Sequence, residues 1–162
     1  MNPAQKLPPK AWVHALPQSR VPRPAVLVDW PKYLLWLVIT PVHPYVRDSL
    51  TYLGVLRHKG RQHYLLGKLA ATETFESVIS YLIDQGFGNH FVAWRDEGEI
   101  ASLRKVPDFR HQFHIRFFQD GEVRGHYEYT PEFRPFDHLL EIGAEDRRQE
   151  FLEVLGDRII PA

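Results

Sequence analysis

Cysteine is absent from the 162 residues, which excludes disulfides, thiolate nucleophiles, iron–sulfur clusters and cysteine-ligated zinc in one step. Its absence also fits a reducing compartment. Long hydrophobic runs are missing too. The longest, Tyr33 to Ile39, falls well short of the ~20 residues that cross a bilayer. The first twenty residues lack the apolar core of a signal peptide, so no membrane partner is expected and a cytoplasmic location is the default. Walker-type and Rossmann glycine loops are absent, and Gly86-Phe87-Gly88 follows a predicted helix instead of opening one. None of the five serines (Ser19, Ser49, Ser77, Ser80, Ser102) stands in a nucleophile-elbow context. Nucleotide- and dinucleotide-dependent enzymes of the familiar kinds are therefore disfavoured. No cofactor or metal is expected.

Acidic residues are scarce in the first 70 positions, where Asp29 and Asp48 face ten lysines and arginines. The rest of the chain holds the other ten basic residues and eighteen acids, so charges of about +8 and −8 sum to zero. Such asymmetry can mark a face for a polyanion. The simpler account, mutual neutralisation within one fold or between subunits, takes precedence.

Nine of the thirteen prolines lie in the first 44 residues. Proline fixes φ and lacks an N–H, which disfavours long helices and central strands there. Residues 1–24 are predicted as a Pro-rich extended arm, with Trp12, Val13 and Leu16 to anchor it to the domain or to a partner. Residues 25–162 are predicted as one α+β domain.

Within that domain, Ala25–Val28 and Tyr33–Thr40 suit short buried strands, although periodicity leaves a helix open for the second. Residues 45–57 are ambiguous between helix and strand, and the tip 57–61 followed by His63–Leu66 suggests a hairpin. The clearest helix is 73–85. Thr72 is its expected N-cap, Phe75, Val78, Ile79, Leu82 and Ile83 form one apolar stripe, and Gly86 is its stop. Hairpins follow at 90–106 and 110–129. Two helices end the chain, one from near Pro135 and one over 145–155. The whole reads as an antiparallel sheet of five to seven strands carrying a central helix and two C-terminal helices.

The 110–129 hairpin has two possible turns. A two-residue Asp120-Gly121 loop sets Phe113, Ile115 and Phe117 beside Arg124, His126 and Glu128, mixing apolar and ionised groups on one face. A three-residue loop with Gly121 left-handed pairs 118 with 122 and separates the faces. Phe113, Ile115, Phe117, Val123, Gly125, Tyr127 and Tyr129 then share one side. Gln112, His114, Arg116, Glu122, Arg124, His126 and Glu128 share the other. In this register His114 opposes His126, Arg116 opposes Arg124 and Gln112 opposes Glu128, with Cβ atoms ~5 Å apart.

Three readings follow. The leading one is a non-catalytic binding or assembly module contacting an anionic partner, including nucleic acid, through Arg57, Lys59, Arg61, Arg116 and Arg124. The second is a small hydrolase or nuclease using His114, His126 and Glu128, which hold the parts for acid–base cleavage and the donor types of a two-His, one-carboxylate site. The third is an architectural subunit docking, as a homo-oligomer or on another protein, through residues 1–24. On residue types alone, a solvated face explains the hairpin and a solvated turn explains the tip. Asp137, His138 and Glu141 have no metal spacing, and Trp30, Trp36 and Trp94 are expected in the core.

Overall fold

In a computed structural model, residues 6–39, 41–42, 45, 49, 52–53, 64–90, 96–134 and 145–162 are described. Helix α1 (Lys10–His14) precedes a 3-10 turn (Leu27–Asp29) and α2 (Trp30–Ile39). Strand β1 (Tyr64–Leu69) leads to α3 (Phe75–Asp84), then β2 (Gly88–Asn89), β3 (Glu99–Lys105), β4 (His111–Phe118) and β5 (Glu122–Tyr129). Helix α4 (Arg148–Leu155), a 3-10 turn (Gly156–Arg158) and β6 (Ile159–Pro161) complete it. The six strands form one antiparallel sheet in the order β2-β3-β4-β5-β1-β6. The expected α+β architecture is present. Among the described residues no helix is long and apolar enough to cross a membrane.

One sheet face is hydrocarbon. Helix α3 lays Phe75, Val78, Ile79 and Leu82 on it, with Phe75 edge-on to Phe117 at 6.4 Å. Helix α4 adds Phe151, edge-on to Phe113 at 5.3 Å, and Leu155. Ile115, Val123, Leu103 and Leu66 are wholly buried between them. The cap of α3 is Thr74, not Thr72. Its hydroxyl accepts from Ser77 N–H while Ser77 Oγ accepts from Thr74 N–H, a reciprocal box that spacing to the apolar stripe alone did not single out.

The arm is docked and partly helical. Val13 and Leu16 join the core, and residues 17–19 run alongside the edge strand β2. Asn89 N–H donates to Pro17 C=O (2.8 Å) and Ser19 N–H to Asn89 C=O (3.2 Å). Gly88 makes this approach possible, since a Cβ there would lie 2.4 Å from the Ser19 nitrogen.

The two proline-bounded apolar runs are not buried strands. Ala25–Val28 leads into the 3-10 turn with Leu27 and Val28 exposed, and 30–39 is helical. Pro31 stands in the first turn, where its missing N–H does no harm, and three leucines favour helix. Only Trp36 of α2 is buried. Trp30 is half-buried against Tyr33. The buried carboxylate of Asp29 holds Arg110 at 2.9 Å, fastening the start of α2 to the approach to β4.

In the ambiguous 45–57 stretch, Tyr45, Ser49 and Tyr52 are helical, with Leu53 N–H donating to Ser49 C=O. The 57–61 tip, residues 91–95 with Trp94, and the helix expected from Pro135 lie outside the described residues. Helix α4 begins at Arg148, three residues later than expected. β6 pairs with β1 at the sheet edge, an element that Ile159-Ile160-Pro161 does not announce.

Candidate functional site

The hairpin turn is the three-residue one. Gly121 has φ +85°, and the ladder pairs Phe117 with Val123, Arg116 with Arg124, His114 with His126 and Gln112 with Glu128. The polar face, however, is not solvated. Gln112, His114 and Arg116 are 0 % exposed, Glu128 4 % and His126 8 %. The neighbouring strand extends that face with Ser102, paired with Arg116, and Arg104, paired with His114. Both are buried.

His114, His126 and Glu128 converge. His114 Nδ1 lies 3.2 Å from His126 Nε2 and 3.7 Å from Glu128 Oε1, and His126 Nε2 lies 2.8 Å from the same oxygen. Adjacent strands hold these positions, so side-chain direction is set by the pleat and not by a loop.

An outer layer of polar groups orients Glu128 and His114. Gln112 Nε2 donates to Glu128 Oε1 at 2.6 Å, and its carbonyl oxygen accepts from Arg104 at 3.0 Å. Glu132 binds the Arg104 guanidinium through both oxygens, at 3.0 and 3.3 Å, and Ser19 Oγ accepts from Arg104 Nε. On the far side of His114, Nε2 contacts Ser102 Oγ and lies 3.3 Å from His90 Nδ1. Rings of His90, His114 and His126 thus follow one another across the sheet with centroids 4.8 and 4.7 Å apart.

Burial holds the His114 imidazole well below the ordinary histidine range. The Glu128 contact opposes this effect, while Arg116 and His126 reinforce it. His114 is therefore a neutral base at neutral pH, with one ring nitrogen bearing a lone pair.

The two arginines of the face are held by acids of the chain itself. Arg116 donates through one terminal nitrogen to Asp96 (2.7 Å) and Glu99 (3.1 Å). Glu122 binds Arg124, whose guanidinium also lies 4.5 Å over the Phe118 ring. Arg57, Lys59, Arg61, Asp137, His138 and Glu141 lie outside the described residues.

Sequence reasoning located the three convergent residues and missed Ser102, Arg104, Glu132 and His90 as their supports. The alternation Ala101-Ser102-Leu103-Arg104 was the available signal, since it puts Ser102 and Arg104 on one side of a strand. Ser102, His114 and Glu128 also follow the order of a serine triad. The 3.7 Å separation of His114 Nδ1 and Glu128 is too long for its second hydrogen bond, and Ser102 is buried in mid-strand. No family model, curated protein or solved structure matches this chain.

Proposed function

We propose that the protein is a small hydrolase whose reacting centre is the His114–His126–Glu128 cluster. The observation that carries this reading is the meeting of two imidazoles and a carboxylate within 3.7 Å on a buried polar face. Hydrolysis needs one group to accept a proton from water and another to return one to the leaving oxygen. An imidazole pair with a carboxylate supplies both while their donor atoms are free; were those atoms to hold a metal ion, they would serve as its ligands and the ion would acidify the water instead. Without cysteine and with Ser102 lacking a triad's geometry, water is the nucleophile.

This reading is preferred to an anion-contact module because Arg116 is inside the fold against Asp96 and Glu99, and Arg124 is engaged by Glu122. The test is a panel of chromogenic carboxylic and phosphate esters, phosphodiesters included. Turnover of one class that falls at least ~100-fold in His126→Ala and in Glu128→Gln, with folding retained, supports the proposal. Turnover equal to wild type in both variants, or none on any substrate, overturns it.

A further inference from the structure

Three donor atoms define a triangle with sides of 2.8, 3.2 and 3.7 Å. Ligands bound to one ion at ~2.1 Å stand about 3.0 Å apart when octahedral neighbours and about 3.4 Å apart when tetrahedral. The observed sides bracket both values. A circle through the three atoms has a radius of about 1.9 Å, so an ion ~2.1 Å from each would sit ~0.9 Å off their plane. Only small adjustments of side chains already facing one another are needed.

The donor set narrows the ion. Two imidazoles and one carboxylate, without thiolate, suit a divalent first-row transition ion better than Mg²⁺, Ca²⁺ or Cu⁺. Three protein ligands on one side leave further positions for water and substrate, whereas structural zinc sites commonly fill four.

The surroundings match what such a centre requires. A ligating histidine donates its other N–H to an acceptor that fixes its tautomer. With Nδ1 on the ion, His114 Nε2 carries that proton and faces Ser102 Oγ and His90 Nδ1. A ligating carboxylate is itself hydrogen-bonded, and Gln112 does this for Glu128 while being held by the Arg104–Glu132 pair.

We propose that His114 Nδ1, His126 Nε2 and Glu128 Oε1 bind one divalent first-row transition ion, oriented by Gln112, Arg104, Ser102 and His90. This departs from the expectation of no cofactor. It deepens the hydrolase reading and rests on it for the ion's purpose, which is to make a bound water nucleophilic near neutral pH.

The experiment uses the full chain, stripped with chelator and titrated calorimetrically with Zn²⁺ alone and with Co²⁺ alone, the latter followed by visible absorption. One equivalent of tight binding with a cobalt d–d band is expected. Glu128→Gln and His126→Ala should each lower affinity by more than the roughly 10–100-fold that loss of an outer partner costs, with Gln112→Ala inside that range. His111→Ala, on the opposite face and stacked on Tyr127, should bind as wild type. A wild-type chain that takes up neither ion overturns the site, as does affinity unchanged in both ligand variants. If a variant fails to fold, X-ray absorption of the cobalt-loaded wild type decides. Two imidazoles and a carboxylate support the site, and any other donor set refutes it. Tight binding without hydrolysis supports the metal and sinks the hydrolase. Hydrolysis that survives complete metal removal overturns the ion's part in the reaction and leaves the hydrolase.

Discussion

The two faces of the β3-β4-β5 sheet are buried to a similar degree and are filled with opposite chemistry. On one side Ile115, Phe117, Val123 and Leu103 meet α3 and α4. On the other, His114, Arg116, Gln112 and Glu128 are as inaccessible as the phenylalanines. Burial of hydrocarbon stabilises by about 25 cal/mol per Å², and it tolerates imperfect partners. Burial of ionisable groups costs free energy unless each is satisfied. Arg116 is incompletely satisfied, since its Nε and second terminal nitrogen have no hydrogen-bond partner among the described residues. The difference teaches that the apolar face holds the fold, while the polar face is retained at some expense to it.

The sharpest way to break this contrast is at Arg104 and Glu132, whose side chains are 6 % and 1 % exposed. Removing one partner of a buried ion pair costs about 3–5 kcal/mol, so Glu132→Ala should destabilise as much as Phe117→Ala does on the apolar face, for which about 3–5 kcal/mol is expected. The double variant Arg104→Met/Glu132→Leu should recover most of that loss, because apolar residues of similar size replace a buried pair nearly neutrally. No comparable rescue exists for Phe117. Urea denaturation of the three variants decides it, and a double variant as unstable as Glu132→Ala would mean that both faces are structural in the same sense.

A smaller effect comes from pH. The unfolded chain titrates His114 near 6.5, whereas in the fold burial lowers this value, with Arg116, His126 and Glu128 modifying it. His90 packs on the ring from the end of β2, and Ser102 and Arg104 neighbour it from β3. Between the two values the unfolded state holds the extra proton. Stability should therefore fall as pH drops below about 6.5, by up to ~1.4 kcal/mol per unit, until the folded value is passed. Above 6.5 this group adds no slope. Denaturation at pH 5.5 and 7.5 should show the difference shrinking in His114→Gln; an equal difference in both proteins would remove the assignment of a neutral His114.

Smallest of the three is the cap of α3. Thr74→Ala should cost ~1 kcal/mol, read as a shift in urea midpoint without change in the polar cluster. A loss above that range would tie the helix to more than the apolar face.

The hairpin was legible because two local facts agree. A glycine at 121 permits φ +85°, and strict alternation leaves one register that separates apolar from polar side chains. The convergence of His114, His126 and Glu128 follows from that register. Their burial does not, since what covers a strand face is decided by tertiary packing, and polar residues ordinarily advertise solvent. Residues 30–39 misled for the mirror-image reason. An unbroken apolar run suggests an interior strand, yet Pro31 and the leucines form a helix that leaves Leu35 and Val38 60 % and 73 % exposed. Thr74 was passed over for Thr72 because both precede the same stripe and only the reciprocal bond to Ser77 separates them. β6 is three residues long and ends on proline, too short for any periodicity to register.

The seat of the N-terminal arm reaches further than the sheet edge. Ser19 lies beside Asn89 and also accepts from Arg104, the residue that steadies Gln112 and through it Glu128. A protease nick or a competing strand that lifted residues 17–19 would therefore slacken the cluster without touching it. The beginning of the chain thus acts as a latch on the His114–His126–Glu128 cluster.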